Sequence, residues 1–336
     1  MFRFLVHIAR LLYNVSIHSC AALPDGKESH MKIVITGPTG AIGMALIQKC
    51  IREKTSVLAI CRKGSVNRSV IPDSSLVEVL EADLSELKEI PERGERFDVF
   101  YHLAWAGTTG QERDHMQLQL SNIACTLDAV HLAGRLGCHT FIGAGSQAEY
   151  GRACKRLRAD TPAFPETGYG MAKLCAGQMS RTECGKLGMK QIWVRFLSVY
   201  GPFGNPNGMI PIVLGRLLAG ETARLTPAEQ IWDFLHAQDA ARALYLLGKS
   251  DGRTDGKVYV MGSGEERPLK EYIEILAREV SQKTGKQAGI RVGALPYPPG
   301  QVMYLGADIS GLKEDIGFEP EVSFEDGIRR MLEDMD

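Results

Sequence analysis

The sequence has no excess charge of either sign, no cysteine motif and no long uninterrupted apolar run. Its 39 lysines and arginines balance 40 aspartates and glutamates, which removes the overall positive field expected of a protein that binds nucleic acid. The eight cysteines form no C-x-x-C pair and no metal-ligand spacing, so we expect structural thiols in a reducing cytoplasm and no metal site. With 44% hydrophobic and 24% charged residues, the 336-residue chain has the composition of a soluble globular protein with one large or two moderate domains.

The first 30 residues differ in character from the rest. They are apolar and weakly basic, but His7 and Arg10 interrupt the apolar stretch, which makes it a poor signal peptide and a poor membrane helix. A second methionine, Met31, follows directly. We therefore interpret residues 1–30 as an extension outside the core, with the fold beginning at Met31, and we expect no membrane association.

A strand, a glycine turn and a helix follow Met31. Residues 32–36 form a short apolar, β-branched run, and Gly37, Gly40 and Gly43 come next, before a helical pattern. Such a turn places backbone N–H groups and the positive end of a helix at one point, which suits a pyrophosphate. The spacing is G-x-x-G-x-x-G rather than the G-x-G-x-x-G of the dinucleotide-binding fingerprint. The inference of a pyrophosphate site therefore depends on the position of the turn between a strand and a helix.

Strands and helices continue to alternate along the chain. This alternation predicts a Rossmann-type, doubly wound parallel sheet with a smaller C-terminal α/β substrate domain. We expect the dinucleotide-binding domain at 31–198, a segment returning to it near 226–250, and the substrate domain mainly at 199–336. After the first strand, the predicted strands are 56–65, 76–84, 97–107, 138–146 and 190–201, and a helix is predicted at 120–137.

The end of the second strand indicates the cofactor. An acidic residue there would bind the ribose 2′-OH of NAD(H), whereas a basic residue accommodates the 2′-phosphate of NADP(H). The chain has Arg62 and Lys63 at this point and no acid, which favours NADP(H) over NAD(H). The alternative is that both are solvated loop charges. Asp83, after the third strand, is placed to bind the adenine amino group.

Ser146 ends an apolar strand, and its partners lie further along the chain. Tyr169 and Lys173 are four residues apart, so on a helix they face the same way. An ammonium beside a phenol favours the phenolate and lowers the pKa of the tyrosine, which can then exchange a proton with an alcohol oxygen during hydride transfer. Ser146 would bind the same oxygen. A second Y-x-x-x-K pair, Tyr245 and Lys249, is interpreted as an ordinary helix end.

This combination resembles the extended short-chain dehydrogenase/reductase family, which includes nucleotide-sugar epimerases, dehydratases and ketoreductases. The resemblance runs from about Met31 to Met335. Besides the glycine turn and the Ser146, Tyr169 and Lys173 set, it is carried by Asp83-Leu84, residues 102–107 (HLAWAG), Asn122, and residues 150–151, 194–206, 232–244, 259–269 and 312–328.

The resemblance implies a role for each matching position. The catalytic residues would be Ser146, Tyr169 and Lys173. The cofactor would be bound by Gly37, Thr39, Gly40, Ala41, Ile42, Gly43, Arg62, Asp83, Leu84, Leu103, Ala104, Asn122, Tyr169 and Lys173. The substrate would be bound by Ser146, Gln147, Ser198, Asn205 and Trp232.

Three departures from the family pattern bear on the reaction. Dehydratases carry an Asp-Glu pair after the catalytic hydroxyl residue, and Gln147 and Ala148 in its place argue against 4,6-dehydration. Ser198 replaces a frequent asparagine before V-Y-G-P. Trp232 replaces an arginine that commonly meets the diphosphate, so the diphosphate must be recognised by another group. Trp232 itself either stacks on a base or packs in the core.

These features favour an NADPH-dependent reductase of a nucleotide-linked 4-keto-deoxysugar. The first alternative is an NAD-dependent nucleotide-sugar 4-epimerase, and the second is a dinucleotide-sensing regulator without turnover. The Pro/Gly-rich residues 293–304 could close the sugar pocket or act as a connector. Two helices of this fold often form a bundle between subunits, so a homodimer is included among the expectations.

Overall fold

The central sheet contains seven strands, all parallel to their neighbours. A computed structural model describes residues 31–335 of the chain, so the segment 1–30 lies outside the described residues. The strands in chain order are β1 (Lys32–Thr36), β2 (Ser56–Cys61), β3 (Val77–Glu81), β4 (Val99–His102), β5 (Thr140–Ser146), β6 (Lys190–Phe196), β7 (Ser198–Tyr200), β8 (Ala223–Arg224), β9 (Ile231–Trp232), β10 (Phe234–His236), β11 (Val258–Met261), β12 (Arg267–Pro268) and β13 (Ile290–Arg291). The order in the large sheet is β11-β6-β5-β4-β1-β2-β3.

Helices cover both faces of this sheet. They are α1 (Ala41–Arg52), α2 (Met116–Arg135), α3 (Gly168–Lys186), α4 (Met209–Leu218), α5 (Ala237–Lys249), α6 (Leu269–Thr284), α7 (Ser310–Ile316) and α8 (Phe324–Glu333). Buried side chains of α1 and α5 form one core cluster with the sheet, and those of α2 and the end of α3 form another. Because both faces are covered, the central strands are buried along nearly their whole length and consist mostly of apolar residues. The predicted Rossmann-type fold class is confirmed.

A further apolar cluster gathers α4, α6 and α8 with residues such as Tyr200 and Ala223. The chain nevertheless returns to the large sheet, because α5 packs on it and β11 joins its edge beside β6. The division into domains at residue 198 stays a prediction.

The predicted strand 190–201 is in fact two strands. β6 ends at Phe196, and after Leu197 the chain leaves the sheet, so that β7 pairs with β10 instead. The predicted strand 97–107 is also shorter, since β4 ends at His102 and a loop follows. Among the described cysteines every thiol is free, and Cys50, Cys61, Cys138 and Cys184 are buried.

Candidate active site

The glycine turn between β1 and α1 presents backbone rather than side chains. Gly37 has φ +72°, and a Cβ on it would lie 2.9 Å from the Ala104 nitrogen. A Cβ on Gly43 would lie 2.2 Å from the Gly37 carbonyl oxygen, so α1 approaches the turn this closely only without a side chain there. Gly40 caps α1 without a side-chain acceptor. The first N–H groups and the positive end of α1 therefore suit an anionic group such as a pyrophosphate.

A cleft of about 570 Å³ opens beside this turn. It lies at the carboxyl ends of β1 to β4, where an α/β sheet binds its ligand. Ala41, Ile42 and Gly43 form the first turn of α1 next to it. The predicted cofactor residues that line the cleft are Gly37, Thr39, Gly40, Arg62, Asp83, Leu84, Leu103, Ala104 and Asn122.

The two basic residues after β2 have different surroundings. Arg62 lines the cleft, whereas the Lys63 ammonium lies 2.6 Å from a Glu86 carboxylate oxygen at the surface. Asn122 holds the loop after β4, because its side chain accepts from the Ala106 N–H at 3.0 Å and donates to the Ala106 carbonyl at 2.9 Å. Arg62 is thus the cation that faces the cleft, and Asn122 shapes its wall.

Ser146, Tyr169 and Lys173 occupy the edge of the sheet at the end of β5. Ser146 is the last residue of β5, and its Oγ accepts from the Ala148 N–H at 3.2 Å in the turn that follows. Tyr169 and Lys173 lie on the first turns of α3. Their exposed fractions are 8% for Ser146, 9% for Tyr169 and 3% for Lys173. The three side chains are therefore largely withdrawn from water.

Lys173 lies beneath an indole ring. Its Nζ donates to the Ala144 carbonyl at 2.6 Å and lies 3.7 Å from the centroid of the Trp105 ring. Burial lowers the pKa of Lys173 to about 7, and the negative charge of Glu149 opposes this. Trp105 lines the wall of the cleft beside the glycine turn, whereas Tyr169 and Lys173 do not. The indole thus lies at the wall of that cleft, next to the lysine.

The phenol of Tyr169 differs from the sequence prediction. Burial raises the pKa of Tyr169, while a hydrogen bond with Ser146 and the positive charge of Arg113 lower it. The predicted lowering by Lys173 is not found. Arg113 stacks on the phenol instead, with its guanidinium carbon 4.5 Å from the ring centroid. The sequence carried no signal for Arg113, because a lone arginine in a loop has no periodic or motif partner.

The glycines before Ser146 lie against a bulky side chain. Cβ atoms on Gly143 and Gly145 would lie 2.2 and 2.4 Å from the Trp193 indole. A Cβ on Gly177, in α3, would lie 2.7 Å from the same ring. Trp193 Nε1 then donates to a Glu149 carboxylate oxygen at 3.0 Å. The glycines therefore admit a buried indole behind the site.

A second cleft, of about 710 Å³, lies between β7 and the C-terminal helices. Ser198, Asn205 and Trp232 line it, whereas Ser146 and Gln147 are not part of its wall. Trp232 lines the cleft and packs on Phe234 with ring centroids 6.5 Å apart, and its stacking on a base stays a prediction.

The chemistry of this second cleft is mostly apolar. Trp232 Nε1 donates to the Ser198 Oγ at 2.8 Å, which occupies the indole N–H. Arg224 is the one charged side chain among the described residues that line the cleft. Leu295 and Gln301, from the Pro/Gly-rich residues 293–304, also contribute to the wall.

The second Y-x-x-x-K pair is structural, as interpreted from the sequence. Tyr245 is buried, with its hydroxyl 3.0 Å from the Thr55 hydroxyl, and Lys249 is the last residue of α5. Within residues 31–335, no helix has the length and apolar character needed to cross a membrane.

Known proteins resemble the chain over most of its length. The sequence profile of the NAD dependent epimerase/dehydratase family matches residues 33–262. UDP-glucose 4-epimerase of Corynebacterium glutamicum is 23% identical over 323 residues, covering 90% of this chain and 94% of that protein. dTDP-glucose 4,6-dehydratase of Xanthomonas campestris pv. campestris is 26% identical over 178 residues, which is 52% of this chain and 50% of that enzyme. The structure of UDP-glucuronic acid 4-epimerase from Bacillus cereus, in complex with UDP-glucuronic acid and NAD, superposes with a TM-score of 0.77 at 21% identity, over 91% of this chain and 99% of that one.

These matches agree with the resemblance in the sequence motifs. The family profile spans the glycine turn, Ser146, Tyr169 and Lys173, and the fold is shared with nucleotide-sugar enzymes over nearly the whole described chain. The expectation of an enzyme is confirmed, and the non-catalytic sensor is thereby disfavoured. The chain belongs to the NAD-dependent epimerase/dehydratase family, within the extended short-chain dehydrogenases/reductases, and is an NAD(P)-dependent nucleotide-sugar enzyme.

Proposed function

We propose that this protein transfers hydride at C4 of a nucleotide-linked sugar, with 4-epimerisation as the net reaction. The observation that carries the proposal is the buried Ser146, Tyr169 and Lys173 set at the end of β5 and the start of α3. In the sheet, β5 lies between β4, which borders the cleft beside the glycine turn, and β6, which leads into the second cleft. The set thus lies between a site for a dinucleotide and a site for a sugar. Two relatives that this chain matches over nearly their full length are 4-epimerases, and this supports 4-epimerisation as the net reaction.

The side chains have the groups that this chemistry requires. A bound nicotinamide dinucleotide would accept and return the hydride of C4. Tyr169 would take the proton of the C4 hydroxyl and give it back after the sugar has presented its other face, while Ser146 hydrogen-bonds the same oxygen. Lys173 would hold the ribose hydroxyls of the cofactor. Gln147 and Ala148 stand where dehydratases carry Asp-Glu, and the one carboxylate of this turn, Glu149, is held by Ser146 N–H, Trp193 and Arg195, so no free acid is offered there for elimination of water.

Arg62 favours a second candidate, an NADPH-dependent reductase of a 4-keto-deoxysugar with the same catalytic residues. Arg62 lines the cleft at the end of β2, where a guanidinium would meet a 2′-phosphate and no carboxylate offers the contact expected for a 2′-OH. We therefore propose NADP(H) as the preferred cofactor, within the NAD(P) dependence of the family.

Arg224 is proposed to contact the substrate diphosphate. A nucleotide diphosphate carries negative charge, and a cleft with apolar walls favours its binding only where a cation compensates that charge. Arg224 provides the single cation of the second cleft within the described chain, and Trp232 takes the place of the arginine frequent in the family. The remaining walls would hold the base and the sugar.

A homodimer in the cytoplasm completes the proposal. Two neighbouring helices expose apolar side chains and are proposed to pair with a second copy, with exposed fractions of 52% for Met116 and 56% for Leu120 on α2, and 51% for Met171 and 42% for Met179 on α3. Their burial against a second copy would remove apolar surface from water.

The test uses purified protein with three probes. UDP-glucose and UDP-glucuronic acid are incubated with NAD⁺ or NADP⁺ and no added reductant, and a UDP-linked 4-keto-6-deoxyglucose is incubated with NADPH. C4 isomers formed without net change in reduced cofactor support the epimerase. One NADPH consumed per 4-keto sugar supports the reductase instead. Conversion of any probe by Tyr169→Phe at the parent rate would overturn the proposed site.

A further inference from the structure

Glu149 lies directly behind the catalytic set, at the end of the turn that follows Ser146. It is completely buried. Its Oε1 accepts hydrogen bonds from the Ser146 backbone N–H at 2.8 Å and from Trp193 Nε1 at 3.0 Å, and its Oε2 accepts from Arg195 Nε at 2.6 Å. Three donors therefore fix the carboxylate, and one of them is the backbone of the catalytic serine.

The charge of Glu149 reaches both titratable groups of the catalytic set. It raises the pKa of Lys173 and thereby opposes the effect of burial, which lowers that pKa to about 7. It also raises the pKa of Tyr169. No carboxylate of the described residues forms an ion pair with Lys173, whose neighbours are the Trp105 ring and the Ala144 carbonyl. The charged and titratable groups facing this region are Arg195 on β6, Tyr150 beside Glu149, Tyr169 and Arg181 on α3, His102 at the end of β4, and Arg113 in the loop before α2.

We infer that Glu149 is a positioning residue of this site: it fixes the backbone of Ser146 and provides the buried negative charge that compensates Lys173. The inference rests on the proposed catalytic set. A lysine surrounded by an indole and a carbonyl holds its proton poorly, because burial penalises the charged form. A carboxylate held by Arg195 and Trp193 reduces that penalty without contacting the lysine, which leaves the ammonium free for a ligand.

The test follows the protonation of Lys173 without a sugar or a cofactor. The ammonium lies 3.7 Å from the Trp105 ring, so loss of its proton changes the emission of that indole. Tryptophan fluorescence is recorded from pH 5 to 9 for each variant and for the same variant with Trp105→Phe added. The difference between the two curves gives the contribution of Trp105. The parent protein is expected to show a midpoint near 7, and Lys173→Met is expected to abolish the transition.

Glu149→Gln keeps an acceptor for the Ser146 N–H but removes the charge. Its midpoint is expected to fall by about one pH unit, as for loss of a nearby opposite charge. The matched control is Glu279→Gln, which removes another buried glutamate charge, in α6 among the C-terminal helices. Its midpoint should equal that of the parent.

A structural effect is separated from the electrostatic one by a double variant. Glu149→Gln combined with Arg195→Met removes the guanidinium that the single variant leaves unpaired, so it protects the fold if Glu149→Gln alone does not fold. Arg195 is not among the groups that act on Lys173, so the double variant should also lower the midpoint. An unchanged midpoint in a folded variant, or a transition that survives in Lys173→Met, would overturn the inference. Neither of these results contradicts the proposed reaction. Conversely, a fully active Tyr169→Phe would contradict the proposed reaction and would not change the interpretation of the fluorescence titration.

Discussion

Replacing Gly177 by alanine tests the packing of Trp193 behind the active site. The new Cβ would lie 2.7 Å from the indole Cε2 and 2.9 Å from its Nε1, and this side of α3 is buried. Alanine gains about 1 kcal/mol of helix propensity over glycine. Overpacking of a close-packed core costs about 1–3 kcal/mol. We therefore expect the free energy of unfolding to fall by roughly 0–2 kcal/mol, the difference of these two contributions.

The control lies on the same helix. Gly185 is exposed, and a Cβ there meets no atom within 4 Å, so Gly185→Ala receives the propensity gain without the clash. Urea unfolding, followed by circular dichroism, should place Gly177→Ala about 1–3 kcal/mol below Gly185→Ala. Trp193→Phe, which narrows the ring, should shrink this difference. If Gly177→Ala is stabilised as much as Gly185→Ala, then the indole does not fill the space assigned to it and the reasoning is wrong.

Three further substitutions test the site itself. Tyr169→Phe should lower turnover about 10²–10⁴-fold, because it removes a general acid–base group while its ring still packs. The control Tyr245→Phe should leave turnover unchanged. Both are measured as steady-state rates with the nucleotide sugar that the parent protein converts. Arg62→Ala should erase most of the preference for NADPH over NADH in a fluorescence titration, and equal affinities in the parent would refute the cofactor assignment. Arg224→Met should weaken binding of UDP, measured by calorimetry, by about 10-fold or more, as for loss of a charge-assisted hydrogen bond; unchanged affinity would place the diphosphate elsewhere.

The sequence predicted those parts of the structure that depend on neighbouring residues. The strand 32–36 and the end of β5 at Ser146 were placed correctly, because apolar runs bounded by glycine or polar residues mark strand ends. The split between β6 and β7 at Leu197 was missed, since the chain remains extended and apolar on both sides. Only the pairing of β7 with β10 separates the two strands, and pairing is a long-range property.

The electrostatic properties of the site could not be predicted for a similar reason. The spacing of Tyr169 and Lys173 is a local feature, and it did place both on one helix. Burial of the whole site changes both pKa values, and Ser146, Arg113 and Glu149, which also act on them, come from other elements; of these only Ser146 was predicted as a partner. Trp105 likewise stood inside a recognisable motif, but nothing in the motif indicated that its ring covers the lysine.

The packing of Trp193 also constrains the evolutionary paths open to this chain. Gly143, Gly145 and Gly177 each leave the room that the indole occupies, so an ancestor with Trp193 could not have gained a side chain at any of them without a clash. A smaller residue at position 193 would remove the clash at Gly143 and Gly177, whereas a Cβ on Gly145 would also lie 2.5 Å from a Glu149 carboxylate oxygen. Chains that carry a side chain at position 143 are therefore expected to have lost the tryptophan first.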